Sequence, residues 1–372
     1  MAEIVIEPIG DAAAFLARWR MLFAHADQKT FFQSPSWLEA WLECARARAR
    51  LFSIEAREGD KPVMMGVIGG GGRRPAIIGL EEARFFETGD PSLDAIYMEY
   101  VDFLSLPGAD PSLRGAMIAE IASRFCGADT IVFRNLRPEM SAAVRGFAEG
   151  GPWASRTLLE QPVYAIDLAA IRERGGDFIE SLESASLRNK VRRAIRGYEE
   201  RGNLTCRIAS NEDRLDAWRR LGELHEARWR GVGAFSNRLF LDFHEKLQRL
   251  APDACELMEI TCGDEAIGVL YNFSYEGRVM NYQSGFRAED DNRLTPGFVC
   301  HALACQHYLE HGAGVYDLLA GEADYKRRFG APAVTLTSIA LERSSWRIAI
   351  RNALKGSGPR AAQEGVEHDD AP

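Results

Sequence analysis

The chain has 372 residues, of which 46% are hydrophobic and 27% charged, and its net charge is −9. That length exceeds one ordinary domain and predicts two, each of roughly 150 to 200 residues and large enough to bury a core. The acidic balance argues against a general nucleic-acid coat, DNA included, and no apolar run approaches the ~18 residues of a membrane span.

The opening segment MAEIVIEPIGD has neither the basic flank nor the apolar run of a signal peptide. Cys44, Cys126, Cys206, Cys255, Cys262, Cys300 and Cys305 are odd in number and contain no CxxC. They read as free thiols in a reducing cytoplasm rather than as a disulfide or zinc framework.

Along the chain, Phe32 to Leu38 marks a helix start, with Ser34 as cap and Pro35 in the first turn. LFSIEARE and VMMGVIGG follow as strands joined at Gly59-Asp60, a pair that tolerates the backbone angles of a hairpin turn. The Gly69 to Gly72 run lacks the Gly-Lys-Ser/Thr of a phosphate loop and is expected to be a turn between strands. SLRGAMIAEIASRF predicts a helix, TIVFRNL a strand and YAIDL another.

The second half repeats this order. Phe235 to Phe240 echoes the helix start; ELMEIT and AIGVLYNFSY are strands joined at Gly263-Asp264. GFVCHALACQHYLEHG, VYDLLA and VTLTSIALE then give helix, strand and strand. Hairpins followed by a strand-helix-strand crossover predict an α/β (α+β) fold with mixed sheets covered by helices, and the common order predicts a duplication.

Between the halves, Leu187, Val191, Ile195 and Tyr198 form an apolar stripe at helical spacing. Arg188, Arg192 and Arg196 form a second stripe, with Lys190 and Arg193 beside it. Such a stripe is either a solvated face or a grip on phosphate or carboxylate groups. A following helix from about Glu212 carries the apolar stripe Leu215, Trp218, Leu221 and Leu224, with His225 and Arg228 sharing one face.

The richest stretch runs from Cys262 to Gly330. A hairpin closes at Glu276-Gly277, and its second strand carries Tyr282, Gln283 and Ser284 on alternating faces. Thr295-Pro296-Gly297 then opens a helix reaching about His311. A helix start presents unpaired N–H groups and a positive dipole end to an anion such as pyrophosphate. Gly297 allows close approach of a ligand to the backbone.

This stretch resembles the acetyltransferase domain of the CelD-like (cellulose biosynthesis) family within the Gcn5-related N-acetyltransferase (GNAT) superfamily. That family is similar in turn to the FemABX aminoacyltransferases. The resemblance rests on Leu224 to Trp229, Tyr282 to Phe286, Pro296-Gly297, Tyr316 to Gly321 and Tyr325 to Gly330, with Phe32 to Trp37 as an N-terminal signature. It implies two tandem GNAT-like domains, a degenerate one over 1–165 and a second over 166–345; a helix and tail occupy 346–372, and the polar, small and acidic composition after about Ser357 predicts disorder there. It further implies an acyl group carried on coenzyme A, or an aminoacyl group on tRNA, moved to an amine or hydroxyl of a cell-envelope or polysaccharide precursor. The resemblance also implies Arg293, Thr295, Pro296, Gly297 and Phe298 as the donor phosphate site, where one glycine and a proline replace the Gln/Arg-x-x-Gly-x-Gly/Ala loop of ordinary N-acetyltransferases.

Acyl transfer needs a proton acceptor for the incoming nucleophile and donors facing the developing oxyanion. Asp317, Glu322 and His225 are candidates for the first role. Arg228, Trp229, Tyr282, Gln283, Ser284, Tyr325, Lys326 and Arg192 are candidates for substrate contact, each with a structural alternative in packing or a solvated face. His307 and His311 lie one helical turn apart with His301 nearby, but without HExxH or a third ligand no metal is expected. A non-catalytic accessory role in envelope synthesis is the reading from outside enzymology. Acceptor identity and oligomeric state are not legible in the sequence.

Overall fold

The computed structural model describes residues 2–73 and 79–356. The segment after Ser357, expected to be disordered, lies outside the described residues. The chain divides into two compact units. The first comprises residues up to Gln161, Asp242–His244 and the described residues from Thr335; the second comprises Pro162–Leu241 and Glu245–Val334.

The strands are β1 (Glu3–Pro8), β2 (Arg50–Glu58), β3 (Lys61–Arg73), β4 (Glu81–Phe85), β5 (Leu104–Ser105), β6 (Thr130–Leu136), β7 (Trp153–Asp167), β8 (Leu204–Ile208), β9 (Cys255–Cys262), β10 (Glu265–Tyr275), β11 (Arg278–Phe286), β12 (Val315–Ala320) and β13 (Ala331–Arg343). The helices of the first unit are α1 (Ala12–His25), α2 (Pro35–Ala45), α3 (Pro91–Asp94), α4 (Ser112–Arg124) and α5 (Pro138–Ala148). In the second come α6 (Leu168–Glu173), α7 (Phe178–Ser181), α8 (Ala185–Glu199), α9 (Arg214–Trp229), all of α10 (Arg238–Leu250) but Asp242–His244, α11 (Pro296–Glu310) and α12 (Asp324–Phe329). The chain's last described helix, α13 (Trp346–Gly356), returns to the first unit.

In the first unit the strand order is β1-β2-β3-β4-β6-β13, with β5 beside β3. All neighbours are antiparallel except β4 and β6, which run parallel. Asp11 caps α1 by accepting from the N–H groups of Ala13 and Ala14, and Ser34 caps α2 by accepting from Trp37. The Phe32 to Trp37 signature is core: Phe32 and Trp37 pack edge to face at 5.0 Å, Trp19 Nε1 donates to the Gln33 carbonyl, and Gln33 Nε2 donates to that of Asp102. Its side chains are spent on packing and on satisfying buried backbone.

One expectation is corrected here. Gly69 to Gly72 lie within β3, not in a turn. Gly69 sits between Leu51 of β2 and Arg84 of β4, and a Cβ there would stand 2.1 Å from the Glu87 carbonyl oxygen. At Gly70 a Cβ would stand 2.4 Å from the Phe125 ring. The glycines admit close neighbours to a paired strand.

The second unit's order is β8-β9-β10-β11-β12-β7. Again all neighbours are antiparallel except one pair, β11 with β12. The two units therefore share one pairing pattern, three antiparallel steps, a parallel crossover and a closing antiparallel strand. The chain supplies those closing strands across the halves. The end of β7 from Pro162 closes the second unit beside β12, whereas β13 from Thr335 closes the first beside β6. A domain of 166–345 does not describe this path, because its final strand is grouped with the first unit.

In the second unit, Leu187, Val191 and Tyr198 of the α8 stripe are buried in a core shared with Val299, Cys300 and Ala304 of α11; Ile195 is only partly buried against it, and Ala194 is the fourth α8 residue inside. On α9, Trp218, Leu221 and His225 are buried, but Leu215 is 70% exposed and is not part of that stripe.

Candidate active site

The parallel pair β11 and β12 is in register only from Arg278/Val315 to Met280/Asp317. Beyond that point β12 bulges against β7 between Asp317 and Ala320, with Leu319 at φ 61° and Gly321 at φ 131°. At the ends of these strands lies a cavity of about 610 Å³. Phe286, Arg287 and Ala288 border it from the end of β11, Pro296, Gly297, Phe298 and His301 from α11, and Glu322, Asp324, Tyr325 and Arg327 from beyond β12. Lys190 of α8 and Ala227 and Arg228 of α9 complete it.

The local chemistry suits an anion beside an apolar group. Thr295 is the cap residue of α11 but makes no side-chain capping bond, and Pro296 occupies the first turn without an N–H. The N–H groups of Gly297 and Phe298 fall in the first turn, where the helix offers no carbonyl partner. Lys190, Arg228, Arg287 and Arg327 bring four cations to the walls against the two carboxylates of Glu322 and Asp324. The Lys190 ammonium lies 4.3 Å from the Phe298 ring centroid. Burial first, and then nearby Arg328, hold its pKa below the ordinary lysine value. Glu322 is exposed, with Arg327 3.7 Å from its carboxylate.

Of the candidate donor, acceptor and catalytic residues named from sequence, Pro296, Gly297, Phe298, Glu322, Arg228 and Tyr325 border this cavity, joined by Lys190 of the basic stripe and by His301; the other candidates do not. Asp317 is fully buried, accepting from Arg278 at 2.8 Å and from the Leu319 N–H at 2.8 Å. Its carboxylate holds the β12 bulge together. Lys326 is 2% exposed and donates from Nζ to the Ala320 carbonyl at 2.7 Å, tying α12 to the end of β12. His225 is packed 4.9 Å from the Phe235 ring, and burial followed by Arg228 lowers its pKa to about 4. It is a neutral core histidine.

Trp229 lies beside Arg228, whose guanidinium is 5.5 Å from its ring, but does not reach the cavity. Tyr282 is buried against Phe273 and Phe240, Ser284 donates to Asn281, and Gln283 is buried in β11. Arg293 is paired with Asp291 at 2.7 Å, Thr295 is buried, and Arg192 is engaged with Glu180. His307 and His311 stack on each other at 4.0 Å, and among the described residues no group of three or more His, Cys, Asp or Glu could hold a metal. Burial pushes the Cys206 and Cys255 thiols up to about 12, so neither is a thiolate nucleophile near neutral pH.

Sequence reasoning missed Phe286, Arg287, Asp324 and the place of His301. His301 follows Gly297 by four residues, a spacing that puts both on one helix face, and that signal was available. Where β11 ends and which way its last residues turn was not.

The comparisons bear on the domain and the fold. Residues 185–327 match the family model described as acetyltransferase (GNAT) domain, so the second unit carries a GNAT-type domain. Over nearly the whole chain, similar solved structures include the C-terminal domain of a putative lysylphosphatidylglycerol synthetase from Agrobacterium fabrum (TM-score 0.55, 13% identity, 94% of this chain and 99% of that one). They also include FemX (TM-score 0.55, 11% identity, 89% and 96% covered) and a tandem GNAT protein from the clavulanic acid biosynthesis pathway (TM-score 0.53, 12% identity, 92% and 99% covered). At such identities they establish the tandem GNAT-like fold and not an activity. No curated protein matches the chain. No described helix is long and apolar enough to cross a membrane.

Proposed function

We propose that the protein is a cytoplasmic acyltransferase whose second unit binds an acyl-CoA at the α11 cavity and passes the acyl group to an amine or hydroxyl of a cell-envelope or polysaccharide precursor. The observation that carries this reading is the open N-terminus of α11 facing a cavity walled by Lys190, Arg228, Arg287 and Arg327. Phosphates suit the helix end and the cations. The acyl and pantetheine portion suits the apolar side formed by Phe286, Pro296 and Phe298. Glu322, one of the two carboxylates on the cavity wall, takes the acceptor's proton, directly or through water, as the acceptor attacks the thioester carbon. The envelope or polysaccharide acceptor rests on the family resemblance alone.

A second reading has aminoacyl-tRNA as donor. It is favoured by Arg193 and Arg196, exposed on α8, the helix whose Lys190 enters the cavity. Pro296, which removes one N–H from the phosphate end, leans instead toward the non-catalytic accessory reading.

Thermal-shift titration with acetyl-CoA, longer acyl-CoAs and free CoA separates the two. A ligand at 100 times its Kd adds about 2.7 kcal/mol of stability. An added Cβ at Gly297 would sit 3.4 Å from the Phe286 ring, so Gly297→Ala is tolerated while Gly297→Trp fills the donor end. The expected result is a CoA-dependent shift that Gly297→Trp abolishes. No shift with any CoA species at millimolar levels overturns the acyl-CoA reading, and tRNA retained through purification would support the second.

A further inference from the structure

His301 is fully buried, borders the cavity, and stacks on Tyr325 at 4.7 Å with rings 11° apart. Phe286 meets it edge-on at 5.7 Å. Its Nδ1 lies 3.2 Å from the Tyr316 hydroxyl, and its Nε2 is buried without a hydrogen-bond partner.

The tautomer follows from counting partners. Tyr316 is fully buried, and His301 Nδ1 is the partner of its hydroxyl. If Nδ1 carries the proton, both the tyrosine hydrogen and the Nε2 lone pair are stranded. If Tyr316 donates to a bare Nδ1, only the Nε2–H is left over. Buried donors and acceptors are rarely left unpaired, so the second arrangement prevails. It leaves one N–H donor on a rigid ring at the cavity wall.

We infer that His301, held in its Nε2–H form by Tyr316, donates a hydrogen bond to the carbonyl oxygen of the acyl group bound in the cavity. This rests on the acyl-transfer reading above. As the acceptor's lone pair forms the new bond to the carbonyl carbon, the C=O pair moves onto oxygen, where the Nε2–H meets it. The pair returns, the carbon–sulfur bond breaks, and the thiolate leaves with those electrons to take up a proton. His301 keeps its own proton throughout. Burial, and next the positive charge of Lys326, lower the His301 pKa to about 3, so the ring stays neutral at working pH and is a donor rather than the base. Tyr325 on one face and Phe286 at the edge hold the ring plane and keep water off it.

Three measurements test this on the full-length chain. The 15N shifts of His301 in the wild-type protein should report a protonated Nε2; a protonated Nδ1 overturns the assignment and needs no variant. The infrared carbonyl band of bound [1-13C]acetyl-CoA should lie lower than in folded His301→Leu, with His301→Gln, which keeps an N–H donor, between them. His301→Leu should weaken acetyl-CoA binding roughly two- to tenfold, as for one neutral hydrogen bond, and leave CoA binding unchanged. An unmoved band with acetyl-CoA bound to His301→Leu, or equal loss of both ligands, refutes the donor role while leaving the acyl-CoA reading standing. If wild type binds no CoA species, the acyl-CoA reading fails and the His301 role falls with it.

Discussion

His225 and His301 are both neutral because burial withholds the water that would solvate an imidazolium. Their surroundings differ in what that neutrality serves. His225 packs against Phe235 and Trp229, and a Cβ on Gly233 would stand 2.2 Å from its ring, so no substrate reaches it. His301 borders the cavity. From sequence, His225 was one of three candidate bases beside Asp317 and Glu322, because a histidine one turn before an arginine says nothing about the loop that closes over it. Its depressed pKa has a consequence for stability. The unfolded chain takes up a proton near the ordinary value of 6.5 and the folded one only near about 4. The contribution is therefore complete above pH 6.5 and is lost as pH falls through that window, by on the order of 3 kcal/mol for a shift of this size. Urea unfolding measured from pH 7 to pH 4 should show a shallower loss in His225→Leu than in wild type. Equal slopes would mean that His225 is not the titrating group.

At the scale of elements, β3 and α11 show how one residue type serves opposite ends. Gly69 and Gly70 are buried in a paired strand because the Glu87 carbonyl and the Phe125 ring occupy the space of a Cβ. Gly69→Ala should cost about 1–3 kcal/mol through forced displacement of backbone, read as a lower urea midpoint. A variant as stable as wild type would show that the β3–β4 edge gives way freely. Gly297, by contrast, has ordinary room for a Cβ, so its smallness matters only to what binds. The hairpins at Gly59-Asp60 and Gly263-Asp264, the Ser34 cap and the Pro296 helix start were all legible, since turn and cap chemistry is local. The glycine run was misread because a strand interior full of glycine differs from a turn only in its neighbours, and those lie elsewhere in the chain.

At the scale of the whole molecule, two units repeat one pairing pattern, and each takes its closing strand from the other half of the sequence. Thr337 to Glu342 of β13 pair with Thr130 to Leu136 of β6, where Ile131, Val132 and Phe133 are buried. Truncation after Val334 should therefore unfold the first unit even though it removes only the C-terminal end. Limited proteolysis should then cut freely within residues 1–161. Continued protection of that segment would show that β13 is dispensable to it.

Read alone, the amino-acid sequence determined the α/β class, the duplication, most strands and helices, and the Thr-Pro-Gly helix start, because these depend on periodicity, turns and caps within short windows. Tertiary structure alone decided which candidates meet. Asp317, Lys326 and Tyr282 turned inward to hold the bulge and the core, while Arg287 and His301 came to the cavity beside Lys190 and Glu322. That choice rests on where β11 and β12 part and how deeply each side chain is desolvated, and both are set by contacts between residues far apart in the chain.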